Sequence, residues 1–261
     1  MLEALWNYRG FILASVRRDF DARYRIASLG GIWAVLQPLA QIAVYMLVLA
    51  GVMRARLPGH TSHLAYGIYL CAGILTWGLF AETVSRCTNV FVESANLLKK
   101  VSFPRVCLPT IAVLSSVVNF AIVLAIFGVF LLATDNWPGW PLLALAPLIG
   151  LQVRLATGLG VLAGVANVFY RDIVQGVGIV MQFWFWMTPV VYPIAVVPER
   201  FASLIRANPL TPLASAYQQV FLMRMWPEWS TLVPTLIVAV VAIIAGMHFF
   251  RAHAGEMVDE L

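Results

Sequence analysis

Apolar runs long enough to cross a bilayer recur six times in this chain, over 32–53, 64–85, 107–133, 141–168, 173–191 and 230–250. A helix needs about 20 apolar residues to span a hydrocarbon core of about 30 Å. Backbone in lipid survives only when its polar groups pair internally. The runs therefore predict an all-α membrane protein with six transmembrane helices, folded as a single domain over 1–261. Barrel strands alternate in short segments, unlike these continuous runs. Pro147 in the fourth run is tolerable in a membrane helix. Composition excludes an ordinary soluble domain. Hydrophobic residues make up 61% and charged residues 11%, against about 25% charged in soluble domains.

Orientation follows from the bias of Lys and Arg toward cytoplasmic loops. With the N-terminus inside, the inner side collects Arg9, Arg17, Arg18, Arg23, Arg25, Arg86, Lys99, Lys100, Arg105, Arg171 and Arg251. The outer side then holds only Arg54, Arg56, Arg200, Arg206 and Arg224. Both termini are expected in the cytoplasm, with no secretory signal. The net charge of +5 reads as this loop bias. No basic stripe interleaves with aromatics as single-strand binding requires, so no nucleic-acid partner is expected. Cys71, Cys87 and Cys107 form no CxxC pair and read as small core residues, not a disulfide framework or a metal site. His60 and His63 read as solvated.

Two segments are neither spans nor plain loops. Over residues 1–28, Leu5, Trp6, Ile12, Leu13, Val16, Phe20 and Tyr24 recur at helical spacing, with Arg17, Arg18, Asp21 and Arg25 turned away. This predicts a helix lying in the headgroup plane, interrupted only by Arg9 on its apolar stripe. Residues 190–229 are apolar but broken by Pro193, Pro198, Pro209, Pro212 and Pro227. Short re-entrant helices on the outer side fit that pattern. Because such backbone needs protein or a wet cavity to satisfy it, they are expected to cover the mouth of a pathway.

The motifs of nucleotide and hydrolytic chemistry are missing. No GxxxxGK[ST] loop, HExxH or GxSxG occurs, so the chain is expected to be no enzyme and to bind no cofactor. An ion-coupled transporter acting alone needs buried carboxylates. Glu82 is the one candidate, and it stands four residues before Arg86 in the favourable order for a helix ion pair. Arg154 interrupts the fourth span, where a charge costs on the order of 3 kcal/mol. It should face the bundle or a wet path, and a structural partner and a substrate channel both fit. Gly160 and Gly164 form a GxxxG that permits close helix contact, read as packing within one protomer.

An amphipathic piece, 90–104, lies on the inside. Phe91, Val92, Leu97, Leu98, Val101 and Phe103 alternate with Glu93, Asn96, Lys99 and Lys100, and Pro104 ends it. Near the outer end of the fifth run, Phe183, Trp184, Phe185 and Trp186 are consecutive. Four successive aromatics cannot all face lipid on a helix, so at least one points inward. Aromatic rings offer flat faces on which the apolar C–H faces of sugars can lie.

Four stretches, in order, carry a resemblance that runs over nearly the whole chain. They are YRIASLGGIWAVLQPL (24–39), ANLLKKVSFPRVCLP (95–109), NVFYRDI (167–173), and WFWMTPVVYP (184–193) followed by ANPLTPLASAY (207–217). The set resembles the membrane subunits of type-2 ABC exporters, specifically the polysaccharide exporters. The resemblance implies a permease working as a homodimer in a bacterial inner membrane, with a separate ATPase subunit on each copy. That partner would bind ATP and Mg, and the cargo would be a lipid-linked polysaccharide, O-antigen first. It implies that Asn96, Leu98, Lys99, Lys100, Phe103, Pro104 and Arg105 belong to a coupling helix docking in the ATPase, and that Arg171 and Asp172 form a second inner contact. It further implies that Tyr45, Phe183 and Trp186 line the substrate channel, to which the chemistry of its position adds Arg154. A capsule or teichoic acid exporter is the alternative within the class, and an ion-coupled secondary transporter the alternative outside it.

Overall fold

The computed structural model describes residues 2–25, 63–100 and 103–260, together with Leu36, Ala40 and Val44. The helices among these residues are α1 (Leu2–Asn7), α2 (Arg9–Arg25), α3 (His63–Glu93), α4 (Ala95–Lys100), α5 (Cys107–Ala133), α6 (Leu145–Phe169), α7 (Ile173–Trp186), α8 (Glu199–Ala207), α9 (Leu210–Gln218), α10 (Val233–His253) and α11 (Met257–Glu260). No strand occurs among the described residues. The expected first span, 32–53, otherwise lies outside them, and Tyr45 with it.

Four helical stretches among the described residues are long and apolar enough to cross a membrane: Leu64–Glu93, Cys107–Ala133, Trp140–Phe169 and Trp229–His253. They coincide with the second, third, fourth and sixth expected spans. The fifth run is different. α7 has 14 residues, about 21 Å at 1.5 Å per residue, short of a full crossing. It stops before Thr188-Pro189, because proline donates no backbone hydrogen bond, and the chain continues as a turn.

α6 is packed between α3 and α10, and glycines set how closely. A Cβ on Gly160 would lie 2.6 Å from Cys87 Cβ, and one on Gly158 would lie 2.5 Å from the Ala242 backbone carbon. The GxxxG stripe therefore serves contacts inside the protomer. Two buried amides cross the same seam. Gln152 Nε2 donates to the Thr76 carbonyl at 2.5 Å, and Asn167 Nδ2 donates to the Thr88 carbonyl at 3.1 Å. All three cysteines are buried and free, as small core residues should be.

α2 lies against α5. Ile12 of α2 is buried, while Leu13 of α2 and Trp6 of α1 face outward. Arg9, which breaks the apolar stripe in sequence, lies 4.9 Å over the Trp6 ring and donates to the Trp6 carbonyl at 3.1 Å. Cation–π contact thus reconciles the charge with its neighbours. Within 190–229, α8 and α9 have nine residues each, and neither is a span. Two connections are clasped by Arg224, whose Nη2 donates to the Asp135 carbonyl at 3.0 Å and to Asn136 Oδ1 at 3.1 Å. Asp135 and Arg224 both have left-handed backbone, with φ of 55° and 54°.

Candidate functional site

One end of the bundle is built around one apolar cluster. Phe91 of α3, Leu108 of α5, Val165 and Val168 of α6, Phe250 of α10 and Met257 of α11 are buried together, with Leu97, Phe103 and Phe169 packed on the edge. Phe91 stacks on Phe250 with ring centroids 5.6 Å apart. The short helix α4 is held on this cluster by Leu97, which turns Asn96 and Lys99 outward, where both are exposed. Side chains of Leu98 and Lys100 lie outside the described residues. Phe103 is not displayed in the same way. It is half-buried, its ring 5.3 Å from that of Phe11 on α2, so it joins the segment after α4 to α2. Pro104 and Arg105 are half-buried in the turn that opens α5, where the Pro104 carbonyl accepts from the Cys107 N–H at 2.9 Å. Arg171 and Asp172 are exposed in the tight turn between α6 and α7, beside an exposed Tyr170. Asp172 occupies the N-cap position of α7 but makes no side-chain capping bond. The structure thus brings Asn96, Lys99, Arg171 and Asp172 to the surface of one end of the bundle.

A charged joint lies just above this face. Arg86 Nε donates to Glu82 Oε1 at 2.9 Å, the i,i+4 pair expected from sequence, and its Nη1 donates to Asp19 Oδ2 at 2.7 Å. Glu82 Oε2 also accepts from Asn119 Nδ2 at 2.6 Å. One network therefore ties α2, α3 and α5 together.

The opposite end carries a second construction, around the turn Thr188–Tyr192. Its carbonyls lack helical partners, and buried unpaired carbonyls cost about 1–3 kcal/mol each. Side chains supply the donors. Tyr66 Oη donates to the Val191 carbonyl at 3.0 Å. Tyr69 Oη lies 2.7 Å from the Tyr192 carbonyl and 3.2 Å from that of Pro189. Gln218 Nε2 donates to the Pro189 carbonyl at 3.0 Å. Gly73 makes the approach possible, since a Cβ there would lie 2.6 Å from the Val190 carbonyl oxygen. Asn208 closes the other side of the turn. Its amide donates to the Met187 carbonyl and to Thr188 Oγ1, and its Oδ1 accepts from Trp184 Nε1 and the Leu210 N–H. A cavity of about 300 Å³, lined by Tyr69, Pro189, Pro193, Ser215, Gln218 and Met223 among others, lies against the turn.

The four consecutive aromatics divide as helical spacing demands. Trp184 meets Phe80 edge-on at 5.3 Å and Phe185 meets Trp77 at 5.4 Å, both against α3. Phe183 and Trp186 face away from the protomer, 67% and 57% exposed. Phe183 also borders an apolar groove of about 410 Å³ between α7 and α8. Arg154, expected to face the bundle or a wet path, is exposed on the surface of the protomer, because Gly158 and Gln152 take the faces of α6 toward α10 and α3. Among the described residues no three His, Cys, Asp or Glu side chains meet as metal ligands would.

Gln218, and the part that Asn208, Tyr66 and Tyr69 play in pinning this turn, are what reading the sequence for a site passes over. The available signal was a polar group inside an apolar segment, which must find a partner when buried. Asn208 additionally precedes Pro209, a turn-forming dipeptide.

The profile of the ABC-2 type transporter family matches residues 11–222. An O-antigen export system permease protein RfbA from Myxococcus xanthus is 28% identical over 263 residues, covering 100% of this chain and 99% of that protein. Another of that name from Klebsiella pneumoniae is 27% identical, over 81% of this chain and 80% of its own length. The polysialic acid transport protein KpsM of Escherichia coli is 17% identical over 92% of each chain.

Proposed function

Since the chain belongs to the ABC-2 type transporter family, whose members are membrane subunits of ABC transporters, we propose that it carries O-antigen, a lipid-linked polysaccharide, from the cytoplasm across a bacterial inner membrane. The observation that carries this reading is the end-to-end similarity to permeases named for O-antigen export, at 28% identity over 99% of one such protein, against 17% for one named for polysialic acid. Two copies of the chain form the channel, each docked on an ATPase subunit that holds ATP and Mg and performs the hydrolysis. The chain itself is no enzyme, and it crosses the membrane six times with both termini inside, the fifth crossing completed by α7 together with the turn that follows it.

In this reading Asn96, Leu98, Lys99, Lys100 and Arg105 meet the ATPase from α4 and the turn after it, with Phe103 and Pro104 holding that turn in place. Arg171 and Asp172 make the second contact. The surface position of Asn96, Lys99, Arg171 and Asp172 at one end of the bundle supports the assignment. Tyr45, Phe183 and Trp186 offer rings to the passing glycan, supported for the last two by their outward exposure. The 190–229 segment is the outer, re-entrant cover, held by Asn208 and the tyrosines of α3.

The experiment is removal of this gene from its host, with immunoblotting of surface polysaccharide. Loss of O-antigen, restored by the wild-type chain only when its ATPase is also present, is the expected result. Loss of capsule with intact O-antigen would reassign the cargo. Unchanged surface polysaccharide would overturn the reading.

A further inference from the structure

Arg154 belongs to the membrane-spanning stretch Trp140–Phe169, and its side chain is exposed on the protomer surface. Among the described residues no hydrogen bond or ion pair engages it. Its Nη1 stands 3.4 Å from where a Cβ of Gly150 would be. The guanidinium is therefore laid back over the preceding turn, the direction in which helical side chains tilt, and it fills the notch left by the missing side chain. One turn further along the same stripe, Ala146 and Pro147 are exposed. Beyond them the stripe continues through Leu143 and Trp140, both exposed, so an apolar track with a notch at Gly150 and Ala146 runs from the guanidinium to the Trp140 end of the span.

A guanidinium stays charged, and acyl chains cannot satisfy it. Long cationic side chains in spans direct their heads toward the interface, along apolar surface. An anionic partner that enters from the interface would satisfy it. The fork of N–H donors matches phosphate oxygens in a bidentate manner. We propose that Arg154, in the notch over Gly150, binds the phosphate of a lipid headgroup that dips along this track. The phosphate comes either from an anionic phospholipid or from the diphosphate of a polyprenyl-linked glycan. The inference rests on the orientation given under the proposed function only for the leaflet that supplies the lipid. Binding itself requires neither the ATPase nor transport.

The test is native mass spectrometry of the purified full chain after equilibration with phosphatidylcholine vesicles containing phosphatidylglycerol in one arm and polyprenyl diphosphate in the other. Wild-type protein is expected to retain the anionic lipid, and Arg154→Gln to retain it about tenfold less. Gly150→Leu keeps the charge but fills the notch, and should also lose retention. Loss confined to the phosphatidylglycerol arm identifies a headgroup site, and loss confined to the other arm identifies the anchor of the cargo. Equal retention by wild type and both variants in both arms overturns the proposal, whatever happens to export.

Discussion

The indole N–H of Trp184 donates to Asn208 Oδ1 at 2.8 Å, joining the end of α7 to the start of α9. Asn208 uses both amide donors and accepts twice, so replacing it by Ala orphans several groups at once. Each buried orphan costs about 1–3 kcal/mol in soluble proteins, although membrane hydrogen bonds average about 0.6 kcal/mol. Asn208→Ala should therefore lower the unfolding midpoint in detergent by several degrees. A wild-type melting curve would remove Asn208 as the pin of the Thr188–Tyr192 turn.

Gly73 and Gly78 provide a matched pair. A Cβ at Gly73 meets the Val190 carbonyl at 2.6 Å, whereas nothing lies within 4 Å at Gly78. Gly73→Ala should displace the Thr188–Tyr192 turn and cut export sharply while the chain still inserts. Gly78→Ala should leave both unchanged. Surface polysaccharide and membrane-fraction blots measure the two effects. Equal export by both variants would contradict the close approach.

The joint at Arg86 predicts an order of stability. Asp19 is partly exposed, so Asp19→Ala should cost no more than about 1 kcal/mol and less at high salt. Arg86→Ala takes away the cation between Asp19 and Glu82, and losing one partner of a largely buried pair costs about 3–5 kcal/mol. Thermal melts of the two variants in detergent decide it. Equal destabilisation would mean that Arg86 acts through Asp19 alone.

Lys99 and Phe103 should separate docking from packing. Lys99 is exposed on α4, and Phe103 packs on Phe11. Lys99→Glu should reduce copurification of the ATPase severalfold with an unchanged melting temperature. Phe103→Ala should reduce both. Normal ATPase capture by Lys99→Glu would place the docking surface elsewhere.

What sequence alone determined is whatever depends on local period and on the cost of polar groups in lipid. Four described spans follow from apolar run length, and the Glu82–Arg86 pair from i,i+4 spacing, because both are properties of one helix. The turn at Thr188-Pro189 has its cause in a missing donor, although run length alone carries the fifth span on to 191. The split of four consecutive aromatics into inward and outward rings is likewise helical, but which two turn inward is not. Trp184 and Phe185 face inward because α3 presents Phe80 and Trp77 at that height. Asp19 reaches Arg86 across 67 positions and Tyr66 reaches Val191 across 125, and no periodicity encodes such partners. Gly160 and Gly164 announced a close contact, yet only the packing of α6 decided that α3 would fill it. Arg154 was legible as a costly charge, while its outward direction was set by the glycines and amides that commit the other faces of α6. Run length and spacing act within one helix, whereas partner choice depends on the simultaneous fit of several helices, which exists only once they have packed.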